Sequence, residues 1–250
     1  MSHETLHHIR RPDGVTLAAR HRPGAGPTLV FLPGLRSDMM GDKATALSLH
    51  AASEERAFLR LDYSGHGESG GRFEDGSVGL WRDDARRVIE ALAPGPVVLV
   101  GSSMGGWIGL MLAESLGAAP RERVRGFVGV AAAPDFTRGI EARLDAEQRA
   151  ELARAGVVML PAQPDPLPLT RRALQDGEQC CLMDRPIPLA CAVRLLHGQD
   201  DAVVGWQTAL AIAERVESSD CQVTLIKDGD HRLSRPQDIA LLVSAAGRLG

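Results

Sequence analysis

The pattern of this sequence is that of an α/β protein: a doubly wound, mostly parallel sheet with helices on both faces and a small cap inserted over one edge. Three observations carry that expectation. Short β-branched runs alternate with helical patterns, the alternation stops once, from Phe136 to Pro188, and one run ends in the pentapeptide Gly101-Ser102-Ser103-Met104-Gly105. Strands separated by helices are joined by right-handed crossovers, which makes neighbouring strands parallel and covers both faces of the sheet.

The elements follow in chain order. A β start at Val15 to Arg20 precedes buried-strand runs at Thr28 to Leu32, Ala57 to Asp62, Val97 to Val100, Val124 to Ala132, Val193 to Leu196 and Val223 to Ile226. Their lengths and β-branched content fit strands covered on both sides. The terminus before them, with His3, His7 and His8, reads as mobile. Trp81, Ala85, Val88 and Leu92 recur at i, i+4, i+7 and i+11 with Asp83, Asp84, Arg86 and Arg87 opposite, which makes an amphipathic surface helix. The run Gly106 to Glu114 is apolar nearly all round and belongs under the sheet, directly behind Ser103. Ser234-Arg235-Pro236-Gln237 has the spacing of a capping box with proline in the first turn, and opens a last helix to about Leu249.

Between Phe136 and Pro188 a charged helix near Glu141 to Ala155 is followed by Pro161, Pro164, Pro166 and Pro168, which oppose continuous regular structure. An excursion this long inside a compact domain is usually functional, so residues 136–188 are expected to cap the site, with a decorative surface excursion as the alternative. No linker-like, repetitive or low-complexity stretch divides the 250 residues, so 1–250 reads as one domain carrying that insertion.

The net charge of −4 is dispersed, with no basic stripe, which argues against nucleic acid or an anionic membrane surface as a partner. Met1 to His8 lacks the apolar core of a signal peptide, and no run of about 18 apolar residues occurs. A soluble, cytoplasmic protein without stable membrane insertion is expected. Cys180, Cys181, Cys191 and Cys221 come with no C-x-x-C or matching histidine spacing, and read as free thiols rather than disulfides or metal ligands.

A G-x-S-x-G pentapeptide between a strand and a helix is a nucleophile elbow, with Ser103 at the apex of a strained turn and Gly101 and Gly105 allowing the chain to make it. Serine is a poor nucleophile unless a base takes its proton. His231, in the turn-rich Lys227-Asp228-Gly229-Asp230-His231 after the last strand, is the candidate base. Of the other histidines, His66 reads as a loop-structuring residue, His197 precedes a glycine turn, and His21 and His50 carry no site signature. The base needs a carboxylate to fix its tautomer, delivered from the turn after the penultimate strand. Two compete there: Asp201 matches a G-x-x-D-x-x-V spacing from Gly198 to Val204, and Asp200 falls one place short. The spacing favours Asp201, and the chain order Ser, Asp, His is that of α/β hydrolases. Backbone N–H groups of Met104 and of Leu35, in the Leu32 to Gly41 loop, are the candidate oxyanion donors.

Beyond the triad, the chain carries Pro33-Gly34 with Gly41-x-Lys43-Ala44, Asp62-Tyr63-Ser64-Gly65, Trp81-Arg82-x-Asp84, Gly105-Gly106-Trp107, Pro186-Ile187-Pro188, Arg194-Leu195-Leu196-His197-Gly198 and Asp230-His231-Arg232. With these, from Thr28 to the C-terminus, it resembles, as a bacterial-type homologue, the α/β-hydrolase domain-containing group of serine hydrolases that includes a mitochondrial palmitoyl-protein thioesterase, also described as an acyl-glucuronide esterase. The resemblance implies the α/β-hydrolase fold, with Ser103, Asp201 and His231 as nucleophile, acid and base. Two departures stand out. No arginine-rich transit segment precedes the domain, so mitochondrial targeting does not carry over. Arg36 stands beside the oxyanion loop where the group has an apolar residue.

The expected activity is acyl transfer from a thioester or ester, on a small molecule or an acylated protein, to Ser103 and then to water, with no metal or organic cofactor. Arg36, Met39, Met40 and Trp107, with Val157, Val158, Met159, Leu160 and Leu167 from the cap, are candidate pocket walls. A carboxylesterase for small esters is the neighbouring alternative. A non-catalytic ligand-binding protein on the same fold is the alternative from another class.

Overall fold

Successive residues of a strand point to opposite faces, and that alternation divides the interior of this protein in two. In the computed structural model, which describes residues 3–116, 120–162 and 165–249, the strands are β1 (Thr5–Arg10), β2 (Thr16–Arg22), β3 (Ala25–Leu32), β4 (Arg56–Leu61), β5 (Val97–Ser102), β6 (Val124–Val130), β7 (Val157–Leu160), β8 (Leu167–Thr170), β9 (Ala192–Gly198) and β10 (Cys221–Ile226). The helices are α1 (Asp42–Ser53), α2 (Val78–Leu92), α3 (Met104–Ser115), α4 (Pro120–Arg123), α5 (Phe136–Arg143), α6 (Ala146–Ala155), α7 (Arg171–Gln179), α8 (Gln207–Arg215) and α9 (Pro236–Gly247). Met1, Ser2, Pro164 and Gly250 lie outside the described residues. Val30, Leu32, Leu59, Leu61 and Leu99 pack with Trp81 and Val88 of α2, Ile108 and Leu110 of α3 and Ile212 of α8. Leu29, Phe31, Phe58, Val98 and Val100 pack on the other face with Leu47 of α1 and Leu242 of α9.

Eight strands form one sheet in the order β1-β2-β4-β3-β5-β6-β9-β10, parallel from β4 to β10 and antiparallel across β1-β2 and β2-β4. The parallel strands end together, so the loops after β3, β5, β9 and β10 converge on one edge. Among the described residues, no helix is long and apolar enough to cross a membrane.

Four local expectations are corrected. The N-terminus is not mobile over Thr5–Arg10 but forms the edge strand β1, in register from Thr5 opposite His21 to Arg10 opposite Thr16. Its anchor is Glu4, which pairs with Arg60 at 2.6 Å and accepts from the Ser48 hydroxyl, both charged side chains being nearly buried. The charged helix is two helices, α5 and α6, because Asp145 Oδ1 accepts the Gln148 N–H at 2.8 Å while Gln148 Oε1 accepts the Asp145 N–H at 3.0 Å, a capping box that restarts the chain. The proline run does not abolish regular structure: Pro168 sits in β8, whose antiparallel partner is β7. A two-stranded ribbon leaves each strand an outer edge where a missing donor costs little. Finally, α9 is flanked by Arg235 rather than Ser234, and the Arg235 N–H donates to Asp238 Oδ2 at 3.2 Å.

The β4–α2 loop holds the β3–α1 loop in place. Asp62 accepts the N–H of Met39 at 2.7 Å and of Glu68 at 2.8 Å, and the Tyr63 hydroxyl donates to the Pro33 carbonyl at 3.2 Å. Asp84 accepts both the N–H and the hydroxyl of Ser64, at 2.9 and 2.6 Å, and Trp81 Nε1 donates to the Ser64 carbonyl at 3.0 Å. His66 is buried against Tyr63, Phe73 and Trp81, with Nδ1 at 3.2 Å from the Ser64 carbonyl and Nε2 accepting the Arg36 N–H at 3.2 Å. It is the loop-structuring residue its position suggests.

Two outcomes are expected. Removing Glu4 leaves the Arg60 guanidinium nearly buried without its partner, so Glu4→Ala should lower the unfolding free energy in urea by about 3 kcal/mol. His66 must be neutral for Nε2 to accept from Arg36, and burial pushes this imidazole below its ordinary value, with the Ser64 contact opposing. The unfolded chain therefore takes up the proton first. This contribution to stability is complete above about pH 6.5 and is lost as the pH falls through the lower folded-state value. Urea midpoints measured from about pH 7.5 to 5 should fall less steeply in His66→Gln than in the native protein.

Candidate active site

Ser103 occupies the turn from β5 into α3 at φ 53° and ψ −117°, outside the regions that L residues favour. The flanking glycines answer crowding. A Cβ on Gly101 would run into the Gly105 carbonyl, one on Gly105 into the Leu32 carbonyl of the neighbouring strand, and one on Gly106 into Ala132. The Ser103 N–H donates to the Val130 carbonyl at 2.9 Å, and the Ser103 carbonyl accepts from Gly106 at 2.9 Å and Ala133 at 3.1 Å. The strained residue is thus tied to the end of β6 on both sides.

The loops after β9 and β10 meet because Gly198 has no side chain: a Cβ there would strike the Gly229 carbonyl. Their contact brings His231 Nε2 to 3.0 Å from Ser103 Oγ and His231 Nδ1 to 2.7 Å from Asp201 Oδ2. Of the two competing carboxylates, Asp201 faces His231 while Asp200 is exposed and uses its N–H on the Gly229 carbonyl at 3.0 Å. Asp228 pairs with Arg235, and Asp230 accepts the Leu233 N–H. Burial works against charge on Asp201, but donation from the N–H groups of Val204 and Val203 and from the His231 ring holds its carboxyl below the ordinary value. Its side chain is fully buried.

Sequence reasoning passed over one participant. His197, fully buried at the end of β9, places Nε2 at 3.1 Å from Asp201 Oδ2 and at 3.0 Å from the Val204 carbonyl. The signal was its position four residues before Asp201, in the Leu195-Leu196-His197-Gly198 run. Lys43, from the Gly41-x-Lys43-Ala44 motif, donates to the Arg232 carbonyl and to Ser234 Oγ, fastening the start of α1 to the loop that carries His231.

Leu35 lies on the loop pinned at Pro33, Arg36 and Met39, and Met104 is the first residue of α3. Neither N–H donates to a protein acceptor among the described residues. First-turn N–H groups of a helix have no partner within it.

Two cavities flank Ser103. One, of about 500 Å³, runs between Leu35, Phe136, Ile140, Leu167 and Val204. The other, of about 180 Å³, is more polar and is lined by Gly34, Ser37, Asp38, Lys43 and Arg232. Leu167 is the expected wall that the first cavity uses; the other candidates stand elsewhere. Met39 is wholly buried, because its N–H is taken by Asp62 and its side chain turns inward. Met40 and Met159 are half exposed to solvent. Trp107 is wholly buried, donating Nε1–H to the Cys180 carbonyl at 3.1 Å and meeting Phe136 edge to face at 5.4 Å, so it backs a wall residue without forming the wall. Val158 is buried in a separate small core, against which Leu160 packs. Arg36 lines neither of these two cavities: its guanidinium donates to the Asp165 carbonyl at 2.6 Å.

A hydroxyl, an imidazole and a buried carboxylate in hydrogen-bonded series can move a proton from the hydroxyl to the ring while the carboxylate stabilises the charged ring. Known proteins share this arrangement of chain. The model of the Alpha/beta hydrolase family matches residues 29–241. Mitochondrial palmitoyl-protein thioesterase ABHD10 of Bos taurus is 40% identical over 238 residues, spanning 94% of this chain and 76% of that protein. A crystal structure described as a hydrolase from Agrobacterium vitis S4 superposes with a TM-score of 0.91 at 40% identity, and a solved structure of mouse alpha/beta hydrolase domain-containing protein 10 with 0.87 at 37%, each covering 97% of both chains. The matched thioesterase is named as mitochondrial, against the cytoplasmic placement expected from the sequence. With its family model spanning both the sheet and the elbow, the chain belongs to the alpha/beta hydrolase family.

Proposed function

We propose that this protein is a serine hydrolase of acyl thioesters and esters, with Ser103 as nucleophile, His231 as base and Asp201 as the acid that orients it. The observation that carries the reading is the unbroken series from Ser103 Oγ through the His231 ring, at 3.0 and 2.7 Å, to a carboxylate with no exposure. Ser103 Oγ attacks the acyl carbonyl as its proton passes to Nε2, and the N–H groups of Leu35 and Met104 receive the developing negative oxygen. His231 returns the proton to the leaving thiol or alcohol. Water, deprotonated by the same ring, then hydrolyses the acyl-enzyme.

The substrate reading draws on two supports. The matched relative is named a palmitoyl-protein thioesterase, and the cavity of about 500 Å³ with Leu35, Phe136, Ile140 and Leu167 among its walls lies within the range of roughly 300–1,000 Å³ usual for small-molecule sites. In this reading residues 136–188 form a cap on the single domain, since Phe136, Ile140 and Leu167 close that cavity from above the sheet edge. The four free cysteines fit a reducing compartment, the cytoplasm in this reading.

Fluorophosphonate labelling should be lost in Ser103→Ala, and kcat should fall by about 10⁴-fold or more in Ser103→Ala and His231→Ala. In the native protein, thioesters of increasing acyl length should show kcat/KM rising towards the long chains. A native protein that takes no label would sink the catalytic reading. Rates peaking at acetyl and absent for palmitoyl would replace the substrate with small esters.

A further inference from the structure

We infer that His197 is a positioning residue of this site: its Nε2–H is donated to Asp201 and fixes the oxygen that Asp201 presents to His231. The inference rests on the proposed roles of Ser103, His231 and Asp201 and adds a fourth member to them.

Both neighbours of His197 Nε2, the Asp201 carboxylate at 3.1 Å and the Val204 carbonyl at 3.0 Å, are acceptors only. The proton therefore sits on Nε2 and is shared between them. Nδ1 is then an acceptor, and it is buried with no hydrogen-bond partner among the described residues. An apolar side chain of the same bulk would leave no such orphan, so the imidazole carries a cost in stability. What it provides in return is at Nε2. Asp201 Oδ1 is filled by the N–H groups of Val203 and Val204, each at 2.8 Å, and Oδ2 by His231 at 2.7 Å and His197 at 3.1 Å. With four donors the carboxylate has one orientation, and the shared Val204 carbonyl fastens the loop that carries it.

The two imidazoles compete for one oxygen. Removing His197 concentrates the charge of Oδ2 on His231, which favours the protonated and inactive ring. The other charged groups beside His231, Asp38, Asp42, Lys43 and Arg232 at one cavity and Asp135 and Arg143 at the other, are common to native and variant proteins.

In His197→Leu, kcat should fall about tenfold or more with KM within about twofold, and the acid limb of kcat/KM should move to higher pH by several tenths of a unit. His197→Gln, whose amide reaches the same point, should restore most of kcat and return the limb. A folded His197→Leu with native kcat and native limb overturns the inference. So does a Gln variant no better than Leu, with losses that only follow Tm. Nitrogen NMR of the native imidazole provides a check that needs no variant: in the neutral ring Nε2 should carry the proton and Nδ1 should be bare, and the opposite tautomer ends the idea. Ser103→Ala assayed alongside separates the two readings. If it stays active, the proposed triad fails; if it is dead while His197→Leu is native, only the fourth member fails.

Discussion

The backbone crossing at Ser103 sets the terms for everything around it. Three parallel strands must end level, and the middle one must turn into a helix within van der Waals reach of both neighbours, so Gly101, Gly105 and Gly106 face carbonyls or an alanine where no Cβ could stand. A residue at φ 53° and ψ −117° costs on the order of 1–3 kcal/mol. The hydrogen bonds of Ser103 to Val130 and from Ala133 hold it there. The strain is offset by a sheet buried on both faces, and the Ser103 hydroxyl is placed at the end of that sheet.

Around that crossing, buried carboxylates fix the loops. Asp62 holds the N–H groups of Met39 and Glu68, Asp84 holds Ser64, Asp135 holds those of Leu182 and Met183, and Asp201 holds those of Val203 and Val204. A charge taken out of water is tolerable only when its lone pairs are filled, so no such loop can shift without leaving an uncompensated anion. This explains why the Asp62-Tyr63-Ser64-Gly65 and Trp81-Arg82-x-Asp84 motifs accompany the nucleophile motif although neither touches it. Tyr63 fastens Pro33 and Asp62 fastens Met39, and Leu35 lies between those two points.

Much of this could be read from residues alone, for a definable reason. Parallel buried strands write themselves as apolar runs, and the elbow needs small residues at fixed offsets, so the sheet, α2, α3 and the meeting of Ser103, Asp201 and His231 follow from local pattern. What failed depended on partners distant in sequence. Thr5–Arg10 is half exposed and carries two histidines, and what holds it is its pairing with β2 and the reach of Glu4 to Arg60. Met39 looked like a wall because it is apolar and close to the oxyanion loop, yet Asp62 captures its backbone and the side chain turns inward. His197 looked like part of a turn because its acceptor lies on the far side of that turn. Periodicity gives the face of an element, but not which loop residue crosses to another.

Stability across the protein is graded in a way that suits the proposed chemistry. The two large cores span the sheet and its helices and take in Leu182 and Ile187, whereas the other described residues of 136–188 carry a small core of their own with Leu144, Leu152, Val158, Leu169 and Leu174. Local opening is easiest where few buried apolar contacts must be broken. Asp135, in the left-handed region at φ 57°, grips both ends of the segment at once, because its carboxylate accepts from Leu182 and Met183 near the return to β9. The segment is also tied to the helices beneath it, since Asp176 accepts the Gly79 N–H of α2 at 2.7 Å and the Cys180 carbonyl accepts from Trp107 of α3 at 3.1 Å. The partly exposed bond from Arg36 to the Asp165 carbonyl adds little in water. Opening confined to that small core would leave the hydrogen-bonded series of Ser103, His231 and Asp201 in register, since none of the three residues belongs to it.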